Sequence, residues 1–116
     1  MTFDEQRFRF PFEAIKKESK IVIYGGGVVG KTFLQEINTT GYCSVIAVCD
    51  REPQNTGITE VPVMTLEDFI KNNTNIYDYI VIAIEIESIA IEIFKKILNS
   101  GIKKHKIKWI NPQRNY

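Results

Sequence analysis

At 116 residues the chain has room for one domain and one core, and 44% hydrophobic with 25% charged residues is an ordinary globular composition. Fifteen Lys and Arg against fourteen Asp and Glu leave a formal charge of +1, which argues against a general nucleic-acid binder. The longest apolar run, YIVIAI at 79–84, is far too short for a bilayer span, and MTFDEQRFRF is not a signal peptide. Cys43 and Cys49 have no CxxC spacing and His105 is the only histidine. Neither a disulfide framework nor a metal site is expected, and the thiols fit a reducing cytoplasm as small core hydrophobes.

Four of the seven phenylalanines, Phe3, Phe8, Phe10 and Phe12, fall in the first twelve positions. We read 1–19 as a Phe-rich lead-in, with PFEAIKKES as a short helix, and 20–116 as the main domain. The aromatics are expected to cover a face of that domain; docking to a partner or a neighbouring domain is the alternative. KIVIY (20–24) is a buried strand running into glycine, with Ile21 and Ile23 on one face. Val29, Phe33, Leu34 and Ile37 share one face of the helix that follows, closed by Gly41. SVIAVCD (44–50) is a second strand, anchored by Ile46 and Val48.

REPQNTG is turn chemistry, and ITEVPVM allows only a short edge strand because of Pro62. Thr65 and Asp68 open a short helix as a capping-box variant. YDYIVIAI is a third buried strand. Ala90, Ile93, Phe94, Ile97 and Leu98 stripe the next helix, which ends at Gly101, and KIKWI is the last strand. Strands alternating with crossover helices predict an α/β fold, a Rossmann-like three-layer sandwich with about five parallel strands in the order 3-2-1-4-5.

YGGGVVGKT (24–32) fits two phosphate-binding patterns. As G-x-G-x-x-G it uses Gly25, Gly27 and Gly30; as a P-loop it uses Gly25, Gly30, Lys31 and Thr32. The dinucleotide pattern accounts for more of the surrounding chain. Gly25 makes the tight turn, Gly27 admits a pyrophosphate, and Gly30 packs helix on strand. Gly26, Val28 and Val29 present backbone N–H groups. Asp50 closes the second strand about 20 residues past the last glycine, in position for a ribose hydroxyl.

Arg51 leaves a 2′-phosphate open, but Asp50 repels one, so NAD(H) is preferred to NADP. Glu85 and Ser88 follow the third buried strand at the edge where open sheets bind ligands; Ser88 serves equally as a helix N-cap. Lys103, Lys104, His105, Lys106 and Lys108 belong to the opposite edge, as a solvated patch. No Y-x-x-x-K pair, G-x-S-x-G elbow or HExxH helix is present, and no residues remain for a substrate domain.

From Phe10 to Pro112 the chain resembles a Rossmann-like domain of bacterial polysaccharide biosynthesis, chiefly in its FPF entry, IYGGGVVGK and GYC. Such domains occur fused to glycosyltransferases and methyltransferase-like modules, and at the front of sugar-nucleotide dehydratases. A related one precedes the repeats of sugar acetyltransferases. The resemblance implies binding of NAD(H) or a nucleotide sugar through Gly25, Gly27, Gly30 and Asp50. It also implies a fused or docked catalytic domain. The family usually carries a small side chain, often Ala, at Gly26, so this departure is expected to add flexibility. The alternatives are an interaction or oligomerisation module with a vestigial pocket, homo-oligomer included, and a P-loop nucleotide binder.

Overall fold

The structure is a computed structural model that describes residues 8–73 and 76–112. Phe3 therefore lies outside the described residues. Five parallel strands, β1 (Lys20–Tyr24), β2 (Ser44–Cys49), β3 (Val63–Met64), β4 (Tyr79–Ile82) and β5 (Ile107–Lys108), form one sheet. Their order is β3-β2-β1-β4-β5. With α1 (Val28–Thr40), α2 (Leu66–Asn72) and α3 (Glu87–Asn99), this is the expected Rossmann-like α/β sandwich.

Because helices or loops cover both faces, the central strands are apolar on both sides. In β1, Ile21 and Ile23 face α1, while Val22 and Tyr24 face the layer of α2 and α3. β2 departs from strict alternation. Pairing runs Ile21 to Val45 and then Val22 to Ala47, skipping Ile46. This bulge turns Ile46 to the α2 and α3 side and leaves Val48 facing α1, so the two do not anchor one face as the alternating pattern had implied.

α1 ends where Gly41 takes up φ +66 and donates its N–H to the Ile37 carbonyl. α2 opens where the Thr65 hydroxyl accepts the Asp68 N–H at 3.1 Å. The edge strands are shorter than their sequence patterns suggest, with β5 reduced to two residues.

The described part of the lead-in, from Phe8, belongs to the core. Phe8, Phe10 and Ile15 are buried beside Phe33 and Leu34 of α1. PFEAIKKES forms only a single 3-10 turn, Phe12–Ala14, rather than the short helix expected. The rings of Phe10 and Phe12 meet edge to face, as do those of Phe10 and Phe33 and of Phe12 and Tyr42. The Tyr42 hydroxyl lies within donating distance of the Phe12 carbonyl, at 3.1 Å, and of the Ile15 carbonyl, at 2.7 Å, tying FPF to GYC. Among the described residues no helix is long and apolar enough to cross a membrane.

Candidate functional site

β1 and β4 are neighbours whose following helices, α1 and α3, lie on opposite faces of the sheet. The loops after the two strands therefore diverge, and a crevice opens at the carboxyl edge. It has a volume of about 690 Å³, within the range of small-molecule sites. Gly25, Gly27, Asp50 and Arg51 line one side; Ala83, Ile84, Ile89 and Ile93 make an apolar wall opposite.

Gly25, Gly26 and Gly27 of the loop and Gly30 of α1 serve different ends. Gly25 has φ +112, and a Cβ there would come within 2.9 Å of the Ala83 carbonyl oxygen. A Cβ on Gly30 would run into the Gly25 carbonyl, so helix and loop touch backbone to backbone. Gly26 lies under the methyl of Thr56, which a Cβ would meet at 2.5 Å. Its N–H donates to Asp50 Oδ2 at 2.8 Å. Gly26 is thus clamped between two side chains, and the extra flexibility expected of it is not what the glycine provides.

Gly27 is different. Its φ of −86° suits any residue, and an added Cβ would have nothing within 4 Å. Neither backbone strain nor internal packing requires glycine here. Its backbone faces the crevice as N-cap of α1, with no side-chain cap and no acid in the first turn. Val28, the first helical residue, is 53% exposed, whereas Val29 turns its side chain into the core. The amides that open α1 thus carry the positive end of the helix dipole toward a space from which a side chain is withheld.

Asp50 lines the crevice with its carboxylate already oriented. Oδ2 accepts from Gly26, and Oδ1 accepts the Glu52 N–H at 2.8 Å. A carboxylate has about four acceptor positions, so these two bonds fix its direction and leave capacity for a hydroxyl. Arg51 and Glu52 continue the same rim. Glu85 is exposed in the loop after β4 and is not among the residues lining the crevice. Ser88 lies inside α3, whose N-cap is Ile86, so the cap assigned to Ser88 is not formed.

The P-loop arrangement is not adopted. Only Gly25–Gly27 separate β1 from α1, so Gly30, Lys31 and Thr32 are already helical. The buried Thr32 hydroxyl donates to the Val28 carbonyl at 2.8 Å and cannot reach a magnesium ion at a helix tip.

Other crevice residues carried no sequence motif. The phenol of Tyr24 lies beside the ammonium of Lys96 of α3. Burial pushes its pKa above the usual tyrosine range, against the pull of the Lys96 ammonium, so it is a neutral donor at physiological pH. Lys96 also approaches Glu67 of α2 at 3.9 Å, and Glu92 completes the polar edge. Behind the apolar wall, the Trp109 indole N–H donates to the Ile84 carbonyl at 2.9 Å and pins the loop after β4. These partners lie 72 and 25 residues apart, so only the packing of α3 and β5 brings them together.

The remaining polar groups lie elsewhere. Lys106 donates to the Tyr77 carbonyl and covers the Tyr77 ring, and Lys108 lies over Tyr79, at the amino edge away from the crevice. Cys43 and Cys49 are buried free thiols, pushed up to about 11 and about 12 by burial. Compared with family models, curated proteins and solved structures, the chain matches none.

Proposed function

We propose that the crevice binds a dinucleotide, NAD(H) in first place and a nucleotide sugar in second. The observation that carries this reading is Gly27. Among Gly25, Gly26, Gly27 and Gly30 it is the one where a Cβ would meet nothing within 4 Å, and it is the N-cap of α1 with no side-chain cap, facing open space. A diphosphate resting there would accept from the amides opening α1, and a side chain at 27 would exclude it. The Asp50 carboxylate would receive a ribose hydroxyl, and the wall of Ala83, Ile84, Ile89 and Ile93 suits the flat face of a base. Asp50 and Glu52 together disfavour a 2′-phosphate, which places NAD(H) ahead of NADP despite Arg51.

The chain's role in this reading is binding or regulation within bacterial polysaccharide or cell-surface glycan synthesis, beside a fused or docked catalytic domain. That assignment rests on the resemblance of FPF, IYGGGVVGK and GYC to such domains. The crevice offers Tyr24 as a neutral donor and Lys96 as a cation, and the second half of a reaction site would come from the catalytic partner.

Thermal-shift titration with NAD⁺, NADH, NADPH and UDP-sugars tests the reading. A ligand at ~100 times its Kd adds about 2.7 kcal/mol of stability, a shift easily read in the midpoint. NAD(H) or a UDP-sugar is expected to raise the midpoint. Gly27→Ala is expected to cost the unliganded protein no more than the ~1 kcal/mol by which an N-cap prefers Gly to Ala, and to remove the ligand's shift. Asp50→Ala is expected to remove most of it. Undiminished binding in Gly27→Ala would sink the diphosphate assignment.

A further inference from the structure

The flank of α3 that faces away from the crevice carries Glu87, Ile91, Lys95 and Leu98 at helical spacing. Ile91 is 44% and Leu98 is 38% exposed. Together with Phe94 and Trp109 they border a largely apolar groove of about 300 Å³ beyond the β5 edge. The charges that line it are Lys95 and Lys104, and Glu87 stands outside the groove on the same flank of α3. Glu87 stands four residues before Ile91 and Lys95 four residues after it. Among the described residues, neither forms an ion pair within the chain.

We propose that this face is a homodimer interface in which α3 packs antiparallel on α3 of a second copy, about a two-fold axis at Ile91. Four residues along a helix is about 6 Å, so the axis sets each Glu87 across from the partner's Lys95. Each Ile91 meets its own counterpart, and Leu98, one turn beyond Lys95 on the same flank, extends the apolar contact on either side of the axis. An isologous contact needs a surface complementary to itself, and the equal spacing of Glu87 and Lys95 about the exposed Ile91 supplies that on this flank. Parallel packing would instead oppose Glu87 to Glu87 and Lys95 to Lys95. The crevice remains open in such a dimer, because Ile89, Ile93 and Lys96 occupy the other flank of the same helix.

Sedimentation velocity of the full chain across a concentration series tests the proposal. The wild type is expected to dimerise, and Ile91→Asp to remain monomeric with an unchanged circular-dichroism spectrum. Glu87→Lys and Lys95→Glu, both at exposed positions, are each expected to weaken association ~10-fold, since like charges then face each other at two symmetric points. The double reversal, Glu87→Lys with Lys95→Glu, is expected to recover the wild-type dissociation constant. Fluorescence of Trp109, the single tryptophan, should follow the same series. A wild type that stays monomeric, whether or not another protein covers the groove, overturns the proposal. So does a double reversal no tighter than either single change.

Discussion

α1 and α3 are both 13 residues long, yet the sheet uses them differently. α1 buries Val29, Gly30, Thr32, Phe33, Leu34 and Ile37, whereas α3 buries only Ala90 and Ile97. α1 crosses from β1 to β2 in the middle of the sheet and is flanked by the lead-in, so Phe8, Phe10 and Ile15 seal its side. α3 crosses to β5, an edge strand of two residues, and its apolar stripe is wider than the surface beneath it. The comparison teaches that an apolar stripe on a helix reports how much surface it could cover. How much it does cover depends on where the helix sits.

The largest expected effect breaks the sealed side. Phe10 is fully buried, and Phe10→Ala should cost about 3–5 kcal/mol in denaturant unfolding. Phe94→Ala on half-buried ground should cost distinctly less; equal losses would erase the contrast between the two helices. Next comes Gly30→Ala, which drives a methyl into the Gly25 carbonyl and should cost roughly 1–3 kcal/mol, as overpacking does. Gly27→Ala is the comparison in the same loop: with no steric clash, it should lose only the ~1 kcal/mol by which an N-cap prefers Gly to Ala.

The smallest effect concerns Glu36, which the sealing of α1 leaves poorly solvated. Its Oε2 accepts the Phe10 N–H at 3.3 Å, and Oε1 is buried with no hydrogen-bond partner among the described residues. Burial pushes its carboxyl above the ordinary Glu range, outweighing the Phe10 hydrogen bond and the Arg9 charge. The folded state therefore holds this proton more tightly than the unfolded chain. Its stabilising contribution is complete below the ordinary Glu pKa and is lost as pH rises through the raised value. Glu36→Gln should raise the midpoint at neutral pH and flatten that part of the pH profile. An unchanged profile in the variant would show that Glu36 is well solvated after all.

Much of the fold was legible in local patterns. KIVIY, the Val29-to-Ile37 stripe and Gly41 predict β1, α1 and its stop, because strand, helix and cap follow from nearest-neighbour chemistry. The spacing of Gly25, Gly27, Gly30 and Asp50 predicts a turn with an acid beside it, and the four come together at the carboxyl edge. What was not legible depends on distant segments. Thr56 over Gly26, Lys96 against Tyr24 and Trp109 behind Ile84 bear no motif. The bulge at Ile46 and the N-cap at Ile86 also escaped, since periodicity carries no signal for a skipped register or a cap without a side-chain bond.

The order of strands and helices, and the backbone turn that receives the helix amides, were determined by the sequence alone, through short-range sterics and apolar spacing. Tertiary structure alone decided which apolar surface was covered, which glycine had a reason inside the fold, and which side chains faced the crevice. Those outcomes depend on what lies across a gap, and nothing in a segment's own spacing encodes its neighbour.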